Sequence, residues 1–361
     1  MYVRDSLSKK LPVEKCIPGI RAVVGLGMIF SGSAVMGQLS TASGYTSSEV
    51  YSTGGDAIVA FSEGSDGALY YMTSTPSYGL GGLYRWDGVS ATNLYTPPSS
   101  GYFAGASVVS VNETVYFNYS TSNYSTSNFY IQGYNTSTEV LGSAEETSNY
   151  ALAAGGSSNP DTLWVSSSDW VNTELSYATT DSSGALSGSP VSIGSVAGGA
   201  GPLQFDAAGN LYYASGYGSS VLYAWSAVQV ADAISDPVSN ALSVADAVLA
   251  YDWASDYAGY GGTSLAFDNE GDAFLTLTNF GSPSLLVEFD LDGLSVLALN
   301  EIASSTGRLG EVVFEGSELY LSDGDSIYAI TPVPEPAETG VLVLAAVAFT
   351  VGFRRRRLAS G

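Results

Sequence analysis

The middle of the chain repeats a pattern of apolar and polar positions that predicts β-hairpins. Each repeat has a short alternating apolar run, a turn rich in Asp, Glu, Asn and Gly, and a second run centred on an aromatic pair. This order is typical of two antiparallel strands joined by a tight turn. Four copies begin at Val108, Leu203, Leu265 and Val312, and two copies with longer turns begin at Ile58 and Ala151.

The six copies are spaced regularly along the chain. The aromatic residues that mark the second runs are separated by 46, 48, 48, 62 and 46 residues, and a third strand-like run follows each hairpin. Three to four short strands in about 48 residues is the period of a β-propeller blade. We therefore predict an all-β, six-bladed propeller over residues 38–332; a pair of β-sandwiches or a β-solenoid is the alternative. The markers are Tyr70, Tyr116, Trp164, Tyr212, Phe274 and Tyr320.

The two ends of this region fit a closed ring. The sixth repeat stops at Thr331, one strand short, and residues 49–53 form a spare strand-like run before the first hairpin. A propeller closes when a strand from one end completes the blade at the other, which removes exposed sheet edges. The longest step contains residues 227–250, whose apolar spacing predicts one or two helices inserted in the fourth blade. The polar tract at residues 118–138 predicts a long exposed hairpin or loop.

The N-terminal segment carries an apolar run behind basic residues. Five cations precede residues 22–30 (AVVGLGMIF), and small residues follow them. This order is typical of a secretory signal peptide, and the run is too short to span a bilayer. We expect residues 1–37 to be the signal peptide, cleaved after Gly37, with cleavage after Ala34 or Met36 as alternatives. A buried helix of a cytosolic protein is the competing interpretation.

The C-terminal segment, residues 333–361, has three ordered parts. A Val-Pro-Glu-Pro sequence comes first, residues 340–353 form an apolar run, and four arginines follow. As a helix the run is about 21 Å long, shorter than a ~30 Å hydrocarbon core. Arginine side chains can snorkel and let a short helix span, and they favour the cytoplasmic side. The residues are Val333, Pro334, Glu335 and Pro336, then Arg354, Arg355, Arg356 and Arg357.

These three parts resemble the PEP-CTERM sorting signal of Gram-negative bacteria. The resemblance implies export through the inner membrane, transient retention by a single transmembrane helix, and processing near the Pro-Glu-Pro motif by an exosortase. It also implies that Pro334, Glu335 and Pro336 are recognised by that enzyme and are not catalytic. Proteins with this signal are usually associated with extracellular polysaccharide, biofilm or the cell surface. The resemblance implies nothing about the fold of residues 38–332.

The charges divide the chain into the same three parts. The 361 residues include 11 Lys plus Arg and 35 Asp plus Glu, for a formal net charge of -24. Residues 1–37 carry five cations and two anions (+3), residues 337–361 carry four and one (+3), and residues 38–336 carry two and thirty-two (-30), which sum to -24. So acidic a domain repels phosphate backbones, which argues against a nucleic-acid partner.

The residue types exclude several kinds of catalysis. The chain has no His, its single cysteine is Cys16, and residues 38–336 contain no Lys. A histidine base, a Cys–His pair, a histidine-ligated metal and a Schiff base are therefore excluded from the middle domain. Removal of the signal peptide would also leave no cysteine for a disulfide. Chemistry by carboxylates, hydroxyls and aromatic faces remains.

Carboxylates are abundant, so the sequence does not single out a catalytic pair. Asp206, Asp268 and Glu315 occupy equivalent turn positions, where a carboxylate commonly accepts hydrogen bonds from turn amides, and we interpret them as structural. Two acidic clusters offer oxygen ligands of the kind that calcium prefers, although neither forms a complete ligand loop and ordinary Asp-Gly turns are the alternative. These candidate metal ligands are Asp290, Asp292, Asp323 and Asp325. No other cofactor is expected.

Aromatic residues favour binding over catalysis. Residues 38–336 contain 24 of the 25 Tyr and all five Trp. Aromatic rings can stack on sugars or pack against other proteins. Trp170 and Trp253, in less regular segments, are the candidate exposed ligand-binding aromatics. The aromatics expected in the core are Trp86, Trp164, Trp225 and Tyr212.

The sequence thus predicts an exported, surface-associated protein with a non-enzymatic binding, adhesive or scaffolding propeller. Its expected partners are the exosortase and export machinery, the membrane before processing, and extracellular polysaccharide or other surface proteins. The alternative is a carboxylate-based glycosidase or lyase that acts on extracellular polysaccharide.

Overall fold

The computed structural model describes residues 38–74, 80–97, 107–123, 126–168, 171–181, 183–279 and 283–333. The predicted signal peptide, and the predicted sorting segment beyond Val333, lie outside these residues. The first strands are β1 (Leu39–Thr41) and β2 (Tyr45–Ser52), followed by β3 (Ala57–Glu63), β4 (Leu69–Ser74), β5 (Leu80–Trp86) and β6 (Ala91–Tyr95). Next come β7 (Val108–Val111), β8 (Thr114–Asn123), β9 (Thr126–Asn135), β10 (Val140–Leu141) and β11 (Glu145–Glu146), then β12 (Ala151–Ala154), β13 (Thr162–Ser168), β14 (Asn172–Thr179) and β15 (Val191–Ala197).

The second half of the chain continues this pattern and contains a short helix. Its first elements are β16 (Leu203–Phe205), β17 (Leu211–Ala214), β18 (Val221–Trp225), α1 (Ala227–Ser235) and β19 (Leu249–Asp252). The last are β20 (Gly261–Phe267), β21 (Ala273–Thr278), β22 (Ser284–Asp292), β23 (Ser295–Ser305), β24 (Leu309–Glu315), β25 (Glu318–Asp323) and β26 (Ser326–Pro332).

The strands form six antiparallel sheets, which are the six blades in chain order. Blade 1 is β3 to β6, blade 2 is β7 to β11, blade 3 is β12 to β15, blade 4 is β16 to β19, blade 5 is β20 to β23 with β1, and blade 6 is β24 to β26 with β2. The first strand of each blade contacts the first strand of the next, and β24 contacts β3. These contacts close a ring, so the predicted all-β six-bladed propeller is confirmed.

The predicted ring closure is also confirmed. Strand β2 pairs with β26 from Tyr45 opposite Pro332 to Ser52 opposite Ser326, and so completes blade 6 with residues from the other end of the domain. The Tyr51 hydroxyl lies 2.5 Å from the Tyr71 hydroxyl in blade 1. The same strand therefore joins the last blade to the first.

The marker aromatics lie in the second strand of each blade, and three of them pack onto the first strand of the next blade. Burial of these large rings between neighbouring sheets contributes both apolar area and specific ring geometry. This contact explains why the marker recurs with the period of a blade. The ring centroids are 4.9 Å apart for Trp164 and Phe205, 4.7 Å for Tyr212 and Phe267, and 4.8 Å for Phe274 and Phe314.

Three hydrogen bonds connect neighbouring blades, and each donor side chain lies two residues after a marker aromatic. Each donor is a polar side chain on a second strand, and each acceptor is a backbone carbonyl at the start of the next inner strand. A buried carbonyl needs such a partner, so the bonds hold each blade in register with its neighbour. They join Asn118 Nδ2 to the Tyr150 carbonyl (3.0 Å), Ser166 Oγ to the Gly201 carbonyl (2.7 Å) and Thr276 Oγ1 to the Gly310 carbonyl (3.2 Å).

Two local predictions are met in part. Residues 227–250 contain α1, which begins at a capping box formed by Ser226 and Gln229, so one helix is inserted in the described part of blade 4. The tract at residues 118–138 spans the β8–β9 hairpin, as predicted. Its exposure was wrong for Asn118, Tyr119 and Ser120, which are buried against neighbouring strands.

Candidate functional site

The six inner strands enclose a central cavity of about 220 Å³. Its lining runs from residues at the start of inner strands, such as Ser107 and Ala151, to residues at the other end, such as Phe205, Phe267 and Phe314. All six blades contribute to it. The central cavity is therefore the place where the ring brings residues from distant parts of the chain together.

Glu311 is the one carboxyl group among the described residues that line the central cavity. It lies on β24, where its Oε1 accepts a hydrogen bond from the Ser264 hydroxyl at 2.9 Å. No described group forms a hydrogen bond with Oε2. Burial raises the pKa of Glu311 to about 8, and the Ser264 bond only partly offsets this effect. At neutral pH the cavity therefore contains a largely protonated, uncharged carboxylic acid.

Two serine hydroxyls fix the spacing of the inner strands around the cavity. Ser264 Oγ also accepts a hydrogen bond from the Val312 amide at 3.1 Å, so one hydroxyl joins β20, β24 and Glu311. Ser107 Oγ accepts the corresponding bond from the Leu152 amide at 3.1 Å. Because the Ser264–Val312 bond anchors the β24 backbone next to Glu311, the Glu311 carboxyl group is held in place against the cavity.

An acidic rim, formed by Glu63, Glu315 and Glu318, lies at the ends of β3 and β24 and the start of β25. The pKa of Glu315 is raised to about 7, first by burial and then by a side-chain hydrogen bond to Glu63 and the charge of Glu63. The Tyr320 hydroxyl donates to Glu318 Oε2 at 2.5 Å. The acidic rim thus places carboxyl groups from the first and last blades side by side at the seam of the ring.

The two cations of the domain lie in different surroundings. Arg85 binds Asp66, with Nη2 and Oδ2 2.8 Å apart, and its Nε donates to the Tyr70 hydroxyl at 3.2 Å. Arg308 precedes β24; burial raises the pKa of Tyr150 and of Tyr217, and the charge of Arg308 lowers both. Arg85 is therefore part of a structural ion pair. Arg308 lies near two tyrosines at the start of β24, whereas the acidic rim lies at the end of that strand.

The structure confirms the structural interpretation of two turn carboxylates. Asp206 Oδ1 accepts a hydrogen bond from the Asn210 amide at 2.8 Å, and Asp268 Oδ1 accepts three from turn amides at 2.8 to 2.9 Å. These turns need glycine, because Gly209 and Gly271 have φ angles of 83° and 99°. Glu315 occupies the equivalent position, but among the described residues its carboxyl group accepts no turn amide and interacts instead with Glu63 across the seam.

The candidate calcium ligands are not brought together. Asp290 and Asp292 lie on β22, and Asp323 and Asp325 flank the β25–β26 turn. Asp323 is buried, accepts a 2.8 Å hydrogen bond from the Ser305 hydroxyl, and has its pKa raised by burial. In the described part of the chain, no group of three or more acidic residues could hold a metal ion. Calcium binding stays a prediction.

The aromatic predictions have mixed outcomes. Trp164, Trp225 and Tyr212 are fully buried as expected, and Trp86 is half-buried. The prediction that Trp253 is exposed was wrong. Its indole packs on Phe289 with ring centroids 6.2 Å apart, and its Nε1 donates to the Tyr260 carbonyl at 3.3 Å, so the irregular segment after β19 covers a buried ring. Trp170 lies outside the described residues.

The predicted sorting residues are described only in part. Val333 is half exposed, and its amide donates to the Gly44 carbonyl at 2.7 Å. The remaining sorting residues lie outside the described region. Within the described residues, no helix combines the length and apolar character needed to cross a bilayer.

Sequence comparisons identify no family for this chain. No protein-family model matches it, and no curated protein matches it in sequence. Solved structures do resemble it. A protein from Thermus thermophilus, assigned as an oxidoreductase (glucose dehydrogenase), is 15% identical, with a TM-score of 0.54 over 80% of this chain and 100% of that chain.

Two other solved structures have lower scores. The PQQ-bound aldose sugar dehydrogenase from Streptomyces coelicolor is 13% identical, with a TM-score of 0.48 over 81% of this chain and 100% of that chain. The WD40 repeats of RRP9 are 10% identical, with a TM-score of 0.44 over 82% of this chain and 100% of that chain. At this level of identity, the likeness to the Thermus protein supports the propeller fold alone.

Proposed function

We propose that this protein is an exported component of the cell surface or extracellular matrix, whose propeller binds extracellular polysaccharide or another surface protein without catalysing a reaction. The observation that carries the proposal is the composition of the central cavity. Glycoside hydrolysis uses two carboxyl groups about 5.5 Å or about 6.5 to 9.5 Å apart. Glu311 is the only carboxyl group among the described lining residues, so the cavity offers a binding site more readily than a hydrolytic pair.

A glycan array probed with the full-length protein tests the binding role. We expect retention of at least one extracellular polysaccharide, because the cavity combines polar and aromatic lining residues. The same polysaccharides, incubated with the protein, are expected to keep their chain length. Failure to bind any glycan or surface protein would contradict the proposed role.

A glycosidase or lyase is the second candidate, and Glu311 is the observation that favours it. A carboxyl group with a raised pKa is suited to act as a general acid. Appearance of shortened products in the same incubation, and their loss in Glu311→Gln, would support this candidate over the binding role.

Export and sorting are proposed from the C-terminal segment. Replacing Arg354, Arg355, Arg356 and Arg357 with Ser is expected to reduce retention in the inner membrane and to change processing in a host with an exosortase. The physical reason is that the basic block holds the end of the apolar run on the cytoplasmic side. Cell fractionation and the size of the protein on an immunoblot measure both effects. Ser360→Ala is the control, and unchanged processing of the arginine variant would count against the sorting assignment.

A further inference from the structure

The lining of the central cavity combines two kinds of surface. Half-buried phenylalanine rings come from three inner strands, where each also packs on the marker aromatic of the preceding blade, and a buried ring comes from β3. Hydroxyl, amide and carboxyl groups lie among them. Sugar rings have the same combination, with apolar C–H faces bordered by hydroxyl groups. The aromatic lining residues are Phe61, Phe205, Phe267 and Phe314, and the polar ones include Ser62, Gln204, Thr263 and Glu311.

The inner strands add backbone groups to this surface. Each inner strand pairs with a single strand of its own blade, so its other edge faces the ring axis. A strand edge presents both N–H donors and C=O acceptors. A sugar hydroxyl both donates and accepts hydrogen bonds and can replace water at either kind of group.

Glu311 presents an unused oxygen at the same surface. Its Oε1 is bound by Ser264, whereas Oε2 has no hydrogen-bond partner among the described residues. Because burial raises the pKa of this group to about 8, the carboxyl group is mostly protonated at neutral pH and can donate as well as accept. Such a group suits an uncharged hydroxyl partner.

Charge argues against ionic ligands. Residues 38–336 have a net charge of -30, which disfavours an anion. A divalent cation needs several oxygen ligands and commonly more than one carboxylate. The described lining contains one carboxyl group, and no acidic cluster suited to a metal occurs among the described residues. A neutral polyhydroxylated ligand fits the cavity best.

We propose that the central cavity binds one neutral saccharide unit of pyranose size, with Glu311 hydrogen-bonded to a sugar hydroxyl and the remaining open faces of the half-buried Phe205, Phe267 and Phe314 rings against the C–H faces. This inference rests on the proposed binding function and assigns it a site. The unit is either a free monosaccharide or the end of a polysaccharide chain, since both present the same ring.

Saturation-transfer NMR on the full-length protein tests the site, with D-glucose, D-galactose, D-mannose and N-acetyl-D-glucosamine as probes. At least one of them is expected to bind. Glu311→Gln keeps a neutral hydrogen-bonding group and is expected to change the apparent Kd by no more than about threefold, whereas Glu311→Leu should weaken binding by about tenfold or more. Glu270→Leu, in the exposed β20–β21 turn, is the control, and circular dichroism checks that each variant is folded.

Three results would overturn the site. The first is that none of the four sugars binds, and the second is that wild type and a folded Glu311→Leu bind them equally well. The third is that the protein binds D-glucuronate or Ca²⁺ but none of the neutral sugars. Competition between dextran and the bound monosaccharide distinguishes a free sugar from a chain end. If dextran competes, the cavity also accepts the end of a polysaccharide chain. If polysaccharides bind on the array equally well to wild type and Glu311→Leu, the cavity site is wrong and the proposed function stands. If monosaccharides bind but no polysaccharide or surface protein does, the site stands and the matrix role is wrong.

Discussion

Deleting residues 38–52 from the full chain is expected to abolish the cooperative unfolding of the propeller. The deletion removes β2, leaving β26 as an unpaired edge and blade 6 with three strands. It also removes Tyr51, whose ring lies 4.8 Å from Trp86 and 5.2 Å from Tyr71 between centroids. With seven residue pairs lost together with this contact, the expected cost is about 5–10 kcal/mol, which is comparable to the whole stability of a typical domain.

Urea unfolding followed by tryptophan fluorescence measures the effect. The matched control deletes residues 38–41 only, which removes β1, a three-residue strand that pairs with β23 on the outer side of blade 5. This control is expected to keep a single cooperative transition with a modestly lower midpoint. A single sharp transition near the wild-type midpoint in the longer deletion would show that β2 does not close the ring.

The blade count could be predicted from sequence because its signals are local. Alternation of apolar and polar residues defines a strand, and Asp-rich turns with glycine define a hairpin. Turns such as the one at Asp268 repeat this chemistry from blade to blade. The marker aromatics add a fixed position in each repeat, on the second strand of the blade. These features need no knowledge of distant contacts.

The candidate site depended on contacts that the sequence does not display. Glu311 is one of thirty-two acids in residues 38–336, and only ring closure shows that it faces a cavity beside Ser264. Its local signal was an acid inside the apolar run of an inner strand. Glu315 looks like Asp268 in the repeat, yet its nearest acid comes from β3, at the other end of the domain. The prediction for Trp253 was wrong because an irregular segment can bury an aromatic ring as fully as a regular strand can.

Acids with raised pKa values are expected to make this propeller less stable as the pH rises from about 4.5 to about 8. Below pH 4.5 Glu311 is protonated in both the folded and the unfolded chain, so it does not affect the pH dependence. Between its unfolded value of 4.5 and its folded value of about 8, only the folded chain keeps the proton, so each increase in pH favours unfolding. Above pH 8 both states have lost it, and its contribution is constant.

The size of the effect follows from the shift. One pKa unit corresponds to about 1.4 kcal/mol, and water in the cavity reduces the full value, so we expect Glu311 to account for about 2–4 kcal/mol. Glu315, Glu288 and Asp323 have raised pKa values and act in the same direction. Asp66 acts oppositely, because Arg85 lowers its pKa against the effect of partial burial, and its contribution is lost as the pH falls through its folded value. Maximum stability is therefore expected in mildly acidic solution.

Glu311→Gln separates this group from the others. The variant is expected to resemble wild type near pH 5 and to be more stable near pH 8, since an amide fills the same volume without ionising. Urea unfolding at several pH values measures the slope, and the difference in bound protons between folded and unfolded chains at pH 6–7 should fall by about one. Glu270→Gln, in an exposed turn, is the control, and its free energy of unfolding is expected to change with pH as that of wild type does. If Glu311→Gln also runs parallel to wild type, Glu311 does not keep a proton that the unfolded chain releases, and the cavity contains a carboxylate at neutral pH.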